Sequence, residues 1–474
     1  MIMENLTQFF HMRQELGVIV VFLIMFICDL LLPENRRKLM HPIACILLVA
    51  QALLTIVPED VTLFGGMYHS TPIASALKTI LSFGTLLAFL QCTDWLNRDD
   101  SKHKIGEFYI LALSTLLGMY FMVSAEHFLL FFLGLELATV PMACLVSFDK
   151  YKENSAEAAA KFILFALFSS GIFLYGVSLL YGATGTLYFS DLTPLVNGCE
   201  LQILAMVFIF AGMAFKLSLV PFHLWTADTY QGAPTVVTGL LSAVSKGAAA
   251  FALMTIIFKV FGNLVTLSST LLSIVIVITI TVGNLFAIRQ NNMKRFMAFS
   301  SISQAGYIIL ALLGDSVQGT ASLVYYIVVY IVANMAIFGI INAIEQKTDR
   351  VMRDDYKGLY STNPKLSLVM TLALFSLAGI PPFAGFFSKF MVFAAAFNQG
   401  HYLVVFLALI NTVISLYYYL LVVKAMYIDE SENPIPSFKN NWYMRISLLL
   451  SLAGILAFGL FSCLYQTFDS LIVG

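Results

Sequence analysis

Long apolar runs separated by short polar loops set the character of this chain. Runs of about 17 to 25 residues, the length a bilayer requires of a helix, fall near 16–32, 40–57, 72–91, 107–124, 126–148, 158–182, 201–219, 234–260, 266–288, 295–314, 319–344, 366–398, 401–424 and 444–466. The expected fold is an all-α polytopic membrane protein with about fourteen transmembrane helices. The run at 366–398 is too long for one straight helix and contains Ile380-Pro381-Pro382, so it reads as two half-helices around an interruption. A second interruption is expected in the seventh run, where Pro221 removes a backbone donor and crowds the preceding turn. Gly232 and Pro234 mark a further break close by.

Basic residues provide an independent check on this count. If the runs alternate across the membrane, one side collects Arg36, Arg37, Lys38, Arg98, Lys102, Lys104, Lys150, Lys152, Lys161, Arg289, Lys294 and Arg295. The same side continues with Lys347, Arg350, Arg353, Lys357, Lys365, Lys424 and Lys439, whereas the other side has only Arg13 and Lys259. The positive-inside rule then places both termini on the outer side, and a missed helix would have scrambled the alternation.

Composition agrees with a membrane protein. The 474 residues are 59% hydrophobic and 11% charged, too few charges to cover a soluble globule of this size. The formal net charge is -1, and no basic-aromatic face is present, so the expected partner is the lipid bilayer and not nucleic acid. Met1 to Glu15 is polar and leads into a full span, which predicts no cleavable signal. Cys28, Cys45, Cys92, Cys144, Cys199 and Cys463 are scattered without C-x-x-C spacing and read as small apolar residues. Neither a P-loop nor a dinucleotide loop is present: Gly182-Ala183-Thr184-Gly185 lacks the strand-turn-helix context. No redox cofactor and no metal are expected on this polypeptide.

Candidate chemistry therefore rests on charges inside the spans. An ionisable side chain at the centre of a helix costs about 2.5 to 3.5 kcal/mol even on insertion scales, so each such residue calls for a reason. Lys216 and Lys246 read as near mid-helix, too deep to snorkel, and a desolvated lysine titrates where an arginine does not. Lys389 follows the double-proline break, so its depth depends on how the half-helices overlap. Glu136 lies about ten residues into the fifth run. At about 1.5 Å per residue that is near mid-depth; a carboxylate there takes up a proton if unpartnered and stays ionised beside a lysine. For Lys216 and Lys246 the alternative is a packing ion pair between helices, and for Glu136 a structural ion pair or a neutral acid hydrogen-bonded to a neighbouring helix. His223, beside Trp225 after the break, could bridge lysines through water or hydrogen-bond the freed carbonyls. Ser300, Ser301, Ser303 and Gln304 form a polar patch that could hold water or bond neighbouring helices. Lys78 is close enough to the outer end of its span to snorkel; neither it nor Asp29 is given a role.

A weak internal repeat is also visible. Lys216…Leu219-Val220-Pro221-Phe222 parallels Ile380-Pro381-Pro382-Phe383…Lys389, each a broken span with an embedded lysine. If five-helix units run from the fourth to the eighth span and from the ninth to the thirteenth, each break falls in the fourth helix of its unit. An odd helix number inverts the second copy, the arrangement associated with midplane ion sites. The expected divisions are 1–106 as an N-terminal three-helix segment, 107–262 and 263–428 as two inverted five-helix repeats, and 429–474 as a C-terminal helix.

Phe215-Lys216-Leu217-Ser218-Leu219-Val220-Pro221-Phe222-His223-Leu224-Trp225, Tyr230-Gln231-Gly232-Ala233-Pro234 and Ser376-Leu377-Ala378-Gly379-Ile380-Pro381-Pro382 closely resemble the subunit N family of antiporter-like membrane proteins in the bacterial proton-pumping NADH-quinone oxidoreductase, complex I. Glu157-Ala158-Ala159-Ala160-Lys161-Phe162 and Leu180-Tyr181-Gly182-Ala183-Thr184-Gly185 are similar to the same family. The likeness runs from the fourth helix to the thirteenth; the first three helices and the last match in topology only. It implies proton translocation driven by quinone reduction elsewhere in the complex, with Glu136 paired to Lys216, Lys246 as central relay and Lys389 near the exit. It also implies other membrane-arm subunits as partners, including further antiporter-like ones, in the bacterial inner membrane. The quinone, the iron-sulfur clusters and FMN or NAD would belong to the parent complex. The nearest rival is a subunit of a multicomponent cation/proton antiporter; a purely structural membrane subunit is the other.

Overall fold

The computed structural model describes residues 8–461 and 463–473. Helices α1 (Arg13–Leu31), α2 (Met40–Thr55) and α3 (Pro72–Gln91) come first. Between α2 and α3 an antiparallel hairpin forms from β1 (Val61–Leu63) and β2 (Tyr68–Ser70). Next come α4 (Ile105–Val123), α5 (Phe128–Leu137), α6 (Val140–Val146), α7 (Glu153–Thr184) and α8 (Glu200–Leu217). Helices α9 (Leu224–Gly232), α10 (Thr235–Gly239) and α11 (Lys246–Lys259) follow, the last two joined by a π-helical turn over Leu240–Ser245. The chain then forms α12 (Val265–Ile288), α13 (Met293–Leu310) and α14 (Ser316–Thr348). It continues with α15 (Pro364–Ala378), α16 (Ala384–Asn398), α17 (Tyr402–Tyr427) and α18 (Trp442–Leu460).

Among the described residues 13 helical stretches are long and apolar enough to cross a membrane, and the half-length pair α15 and α16 supplies the fourteenth crossing. α13 and α14 are wholly buried by their neighbours, whereas α1, α7 and α18 turn most of their surface outward. The molecule is thus a bundle with α10–α11, α13 and α14 along its centre. Side-chain contacts between loops support the alternation read from the basic residues. Arg98 pairs with Asp349 and Lys347 with Asp94, each at 3.8 Å, and Arg353 hydrogen-bonds Asn291 at 3.0 Å. All six belong to loops or helix ends assigned to the basic side. At the other end, Lys259 meets Glu126 and Arg13 meets Glu59.

The interruptions lie where proline demanded them, Pro141 at the start of α6 included, and also in the π-helical turn before Lys246, which no proline marks. α8 ends at Ser218 (φ 61) and α15 at Gly379 (φ 88), both left-handed. In each case the next N–H turns back to a carbonyl five residues earlier, Leu219 to Ala214 at 2.9 Å and Ile380 to Phe375 at 3.1 Å. These bonds satisfy backbone carbonyls that a membrane-buried helix end would otherwise leave bare. The fifth crossing breaks after Leu137, one residue beyond Glu136, and the eighth loosens into its π-helical turn just before Lys246. Each titratable candidate therefore sits beside irregular backbone.

Two expectations need correction. Lys216 is not at the middle of a continuous helix but in the last turn of α8; it is halfway along the crossing only because α9 continues that crossing from 224 to 232. Lys78 does not snorkel. Its side chain is 0% exposed and pairs at 2.6 Å with Glu15, itself 1% exposed, because the hairpin folds over the outer end of α3 and closes off the route to water. Tyr68 and Ser70 of β2 each accept a hydrogen bond from Lys78 at 3.1 Å.

Candidate functional site

All five candidate residues lie beside breaks in the crossings, and three of them are enclosed. Lys216, Lys246 and Lys389 are buried at 7%, 1% and 4% relative exposure. Glu136 is only half-buried, on the flank of α5 beside the exposed Leu133 and Val140.

Glu136 and Lys216 approach one another without closing into an ion pair. The carboxylate accepts a short hydrogen bond from Ser170 of α7. The ammonium donates to Thr139 Oγ1 at 2.5 Å, and the Thr139 hydroxyl donates to the Leu135 carbonyl at 2.5 Å. Thr139 stands in the gap between α5 and α6, one helical turn past Glu136, so the break that splits the fifth crossing also supplies the ligand for Lys216. Glu136 lies one helical turn before the residue that binds the ammonium. Lys216 also lies at the carbonyl end of α8, where the helix dipole favours a cation.

Around Lys246 hydroxyl groups predominate. Its Nζ donates to Ser301 Oγ at 2.7 Å and lies 6.0 Å from the Tyr230 ring centroid. Tyr330 donates to the same Ser301 hydroxyl at 2.8 Å. One residue earlier on α13, Ser300 meets the Tyr419 hydroxyl at 2.5 Å; one turn later, Gln304 donates to that hydroxyl at 3.2 Å and accepts from Tyr326 at 2.5 Å. Gln304 also donates to the Leu377 carbonyl at 3.1 Å, and Lys389 donates to the adjacent Ala378 carbonyl at 3.1 Å. A single turn of α13 thus links the surroundings of Lys246 to the end of α15, where Lys389 reaches back from α16 across the face of Tyr307.

Between Lys216 and Lys246 the connection is aromatic. Phe215, Trp225 and Tyr230 stand in series with centroids 5.1 and 6.3 Å apart, and Trp225 Nε1 donates to the Phe215 carbonyl at 3.1 Å. Trp225, and not His223, therefore takes up the carbonyl freed at the end of α8. His223 occupies the N-cap position of α9 and hydrogen-bonds none of the three lysines; its Nδ1, with Ser218 Oγ and Thr226 Oγ1, has no hydrogen-bond partner among the described residues. These polar atoms cluster at the break and are free to take water.

On the basic side of the membrane a cavity of about 440 Å³ reaches Gly232 and Pro234 at the foot of α9 and α10, lined by Asp149, Lys152, Lys294 and Glu345 among others. Lys294 donates to the Ala233 carbonyl at 3.1 Å and pairs with Glu345 at 3.2 Å. Nearby, Asp228 holds both Lys161 and Arg295 at 2.6 Å. No group of His, Cys, Asp or Glu is gathered as a metal site among the described residues.

The sequence reading missed Thr139, Ser170 and the tyrosines 230, 326, 330 and 419. Tyr326 and Tyr330, four apart in an apolar helix, carried a usable signal, since both project from one face. Thr139 and Ser170 carried none, because their roles depend on which helices α5 and α8 pack against.

Crossed half-helices with buried lysines at their breaks define a class. Residues 125–415 match the NADH:quinone oxidoreductase/Mrp antiporter transmembrane family. A NADH-quinone oxidoreductase subunit N from Phocaeicola vulgatus is 67% identical over 463 residues, covering 98% of both chains. A chain of respiratory complex I from Thermus thermophilus is 30% identical with a TM-score of 0.80, covering 96% of this chain and 98% of that one. A chain of the Mrp complex from Dietzia sp., 21% identical with a TM-score of 0.84 over 98% and 96% of the two chains, shares the fold. The chain belongs to the NADH-quinone oxidoreductase subunit N family.

Proposed function

We propose that this chain translocates protons as a membrane-arm subunit of a respiratory NADH-quinone oxidoreductase, using Glu136, Lys216, Lys246 and Lys389. The observation that carries the reading is the line of three buried lysines, two of them bridged by hydroxyl and amide groups of α13. The 67% identity to a NADH-quinone oxidoreductase subunit N favours it over the multicomponent antiporter, which shares the broader transmembrane family and the fold.

Protons would be taken up through the charged cavity beside Gly232 and Pro234, which opens on the basic, inward side; both termini would then face outward across the bacterial inner membrane. The half-exposed flank of Glu136 would meet a neighbouring membrane-arm subunit. An ammonium beside a carboxylate holds its proton more tightly than one without. Movement of Glu136 between Ser170 and Lys216 therefore changes the occupancy of Lys216, and a shift worth one pKa unit is about 1.4 kcal/mol. Quinone reduction in another subunit would drive that movement through the electrostatics of the arm, and the proton would pass through water past Trp225 to Lys246, then along α13 to Lys389. His223 would help hold that water at the break. The quinone, the iron-sulfur clusters and any FMN or NAD would sit on other polypeptides.

Lys216→Ala is the direct test. The complex should assemble with its full set of subunits but lose proton-coupled quinone reduction, read as substrate-driven acidification of inverted vesicles. Undiminished pumping in that variant would remove Lys216 from the route.

A further inference from the structure

A further cavity lies away from the lysine axis, between the first turns of α15 and α18 on the basic side of the membrane. It encloses about 640 Å³ and is lined by Lys365, Lys439 and Arg445, with Val369 and Leu449 on its membrane-ward wall. No aspartate or glutamate lines it. Each of the three cations is exposed, and none takes part in an ion pair or side-chain hydrogen bond among the described residues. Most other basic residues on this side do have partners, including Arg98, Lys152, Lys294 and Lys347.

The cavity's frame is built by hydrogen bonds. Asn363 donates to the Pro436 carbonyl at 3.1 Å and accepts from the Phe438 amide at 3.2 Å, which ties the loop bearing Lys439 to the start of α15. Asn441 caps α18 through the Met444 amide at 2.6 Å and binds Asp94 at 3.0 Å, which fixes the start of the helix that carries Arg445. Below the cations the wall becomes apolar: Leu449 is 64% exposed, and Trp442, 70% exposed, opens the same helix as the interfacial aromatics of membrane proteins do. Three uncompensated cations above an open hydrocarbon wall match a molecule with a negative head and greasy tails.

We propose that this cavity binds the phosphate headgroup of an anionic phospholipid, with its acyl chains lying along Val369 and Leu449. The site is independent of the proton-transfer reading and would survive its failure. Cationic pockets between transmembrane helices recognise such headgroups because each ammonium or guanidinium near the surface adds attraction that salt screens. Arg445 contributes a planar fork suited to two phosphate oxygens, and the lysines contribute point charges.

The test compares the intact complex with a K365Q/K439Q/R445Q complex, both purified in mild detergent. Native mass spectrometry should show anionic phospholipid retained by the first and lost from the second. After delipidation, added phosphatidylglycerol should raise the melting temperature of the unaltered complex and not that of the variant, and the rise should shrink at high salt. Phosphatidylethanolamine should give no such rise. Equal lipid retention in both complexes overturns the proposal. So does an equal effect of inorganic phosphate, which would make the site one for a free anion, or loss of another subunit from the variant, which would make it a docking face for an acidic protein. If the triple variant fails to assemble, K439Q alone serves for the same comparison, since Lys439 lies on an exposed loop.

Discussion

A buried charge in this protein is either mobile or pinned, and its ligands show which. Lys78 has a carboxylate at 2.6 Å, two hydroxyls at 3.1 Å and two tyrosine rings within cation-π range. That is a structural ion pair, with Tyr68 also donating to the second oxygen of Glu15. Removing one partner strands the other charge, at a cost of about 3 to 5 kcal/mol. Lys78→Ala should therefore lower the melting temperature of the complex, and Glu15→Gln together with Lys78→Gln should recover part of the loss, a coupling that a double-mutant cycle measures. Lys216, in contrast, is held by one neutral hydroxyl with its carboxylate nearby but unengaged. Thr139→Val, which keeps the shape and deletes the hydroxyl, should slow coupled turnover several-fold, whereas Thr139→Ser should not. Equal rates for the two substitutions would show that the hydroxyl plays no part.

At the scale of elements, the outer hairpin is clasped to the bundle by charge. His69 on β2 lies between Asp60, which bonds its Nε2 at 2.9 Å, and Glu126, 3.8 Å from its Nδ1; Lys259 at the end of α11 engages Glu126 in turn. The Glu126 carboxylate, and after it Asp60, hold the His69 proton affinity above its ordinary value, while burial and Lys259 oppose them without cancelling their effect. A histidine whose folded pKa is raised contributes stability fully below its unfolded value of about 6.5, and that contribution is lost as pH rises through the folded value. Amide exchange in 61–70 should accordingly quicken between about pH 6 and about pH 9 beyond the intrinsic chemical acceleration, and His69→Gln should abolish the excess. A hairpin equally protected at both values would show the clasp to be immaterial.

For the molecule as a whole, α13 matters most. It is enclosed on every side, and its turn from Ser300 to Gln304 joins α11, α14, α15 and α17 through side-chain bonds. If protons cross from Lys246 to Lys389 along this turn, Ser301→Ala combined with Gln304→Leu should depress pumping roughly ten-fold or more, comparable to the loss of a few hydrogen bonds at about 1 kcal/mol each, while leaving the subunit in the assembled complex. Pumping at the unaltered rate would route the proton elsewhere.

The sequence by itself determined the number of crossings, their alternation, the proline-marked breaks and the three buried lysines, because hydropathy, loop charge and proline geometry are local and additive along the chain. Only the tertiary structure decided that Lys216 bonds Thr139 rather than Glu136, that Lys78 is locked to Glu15, and that one turn of α13 bridges the two deeper lysines. Those contacts join residues 55 to 77 positions apart in sequence. In a bundle whose every helix is apolar, periodicity does not say which faces meet; that is set by how side chains of different size interlock between neighbours.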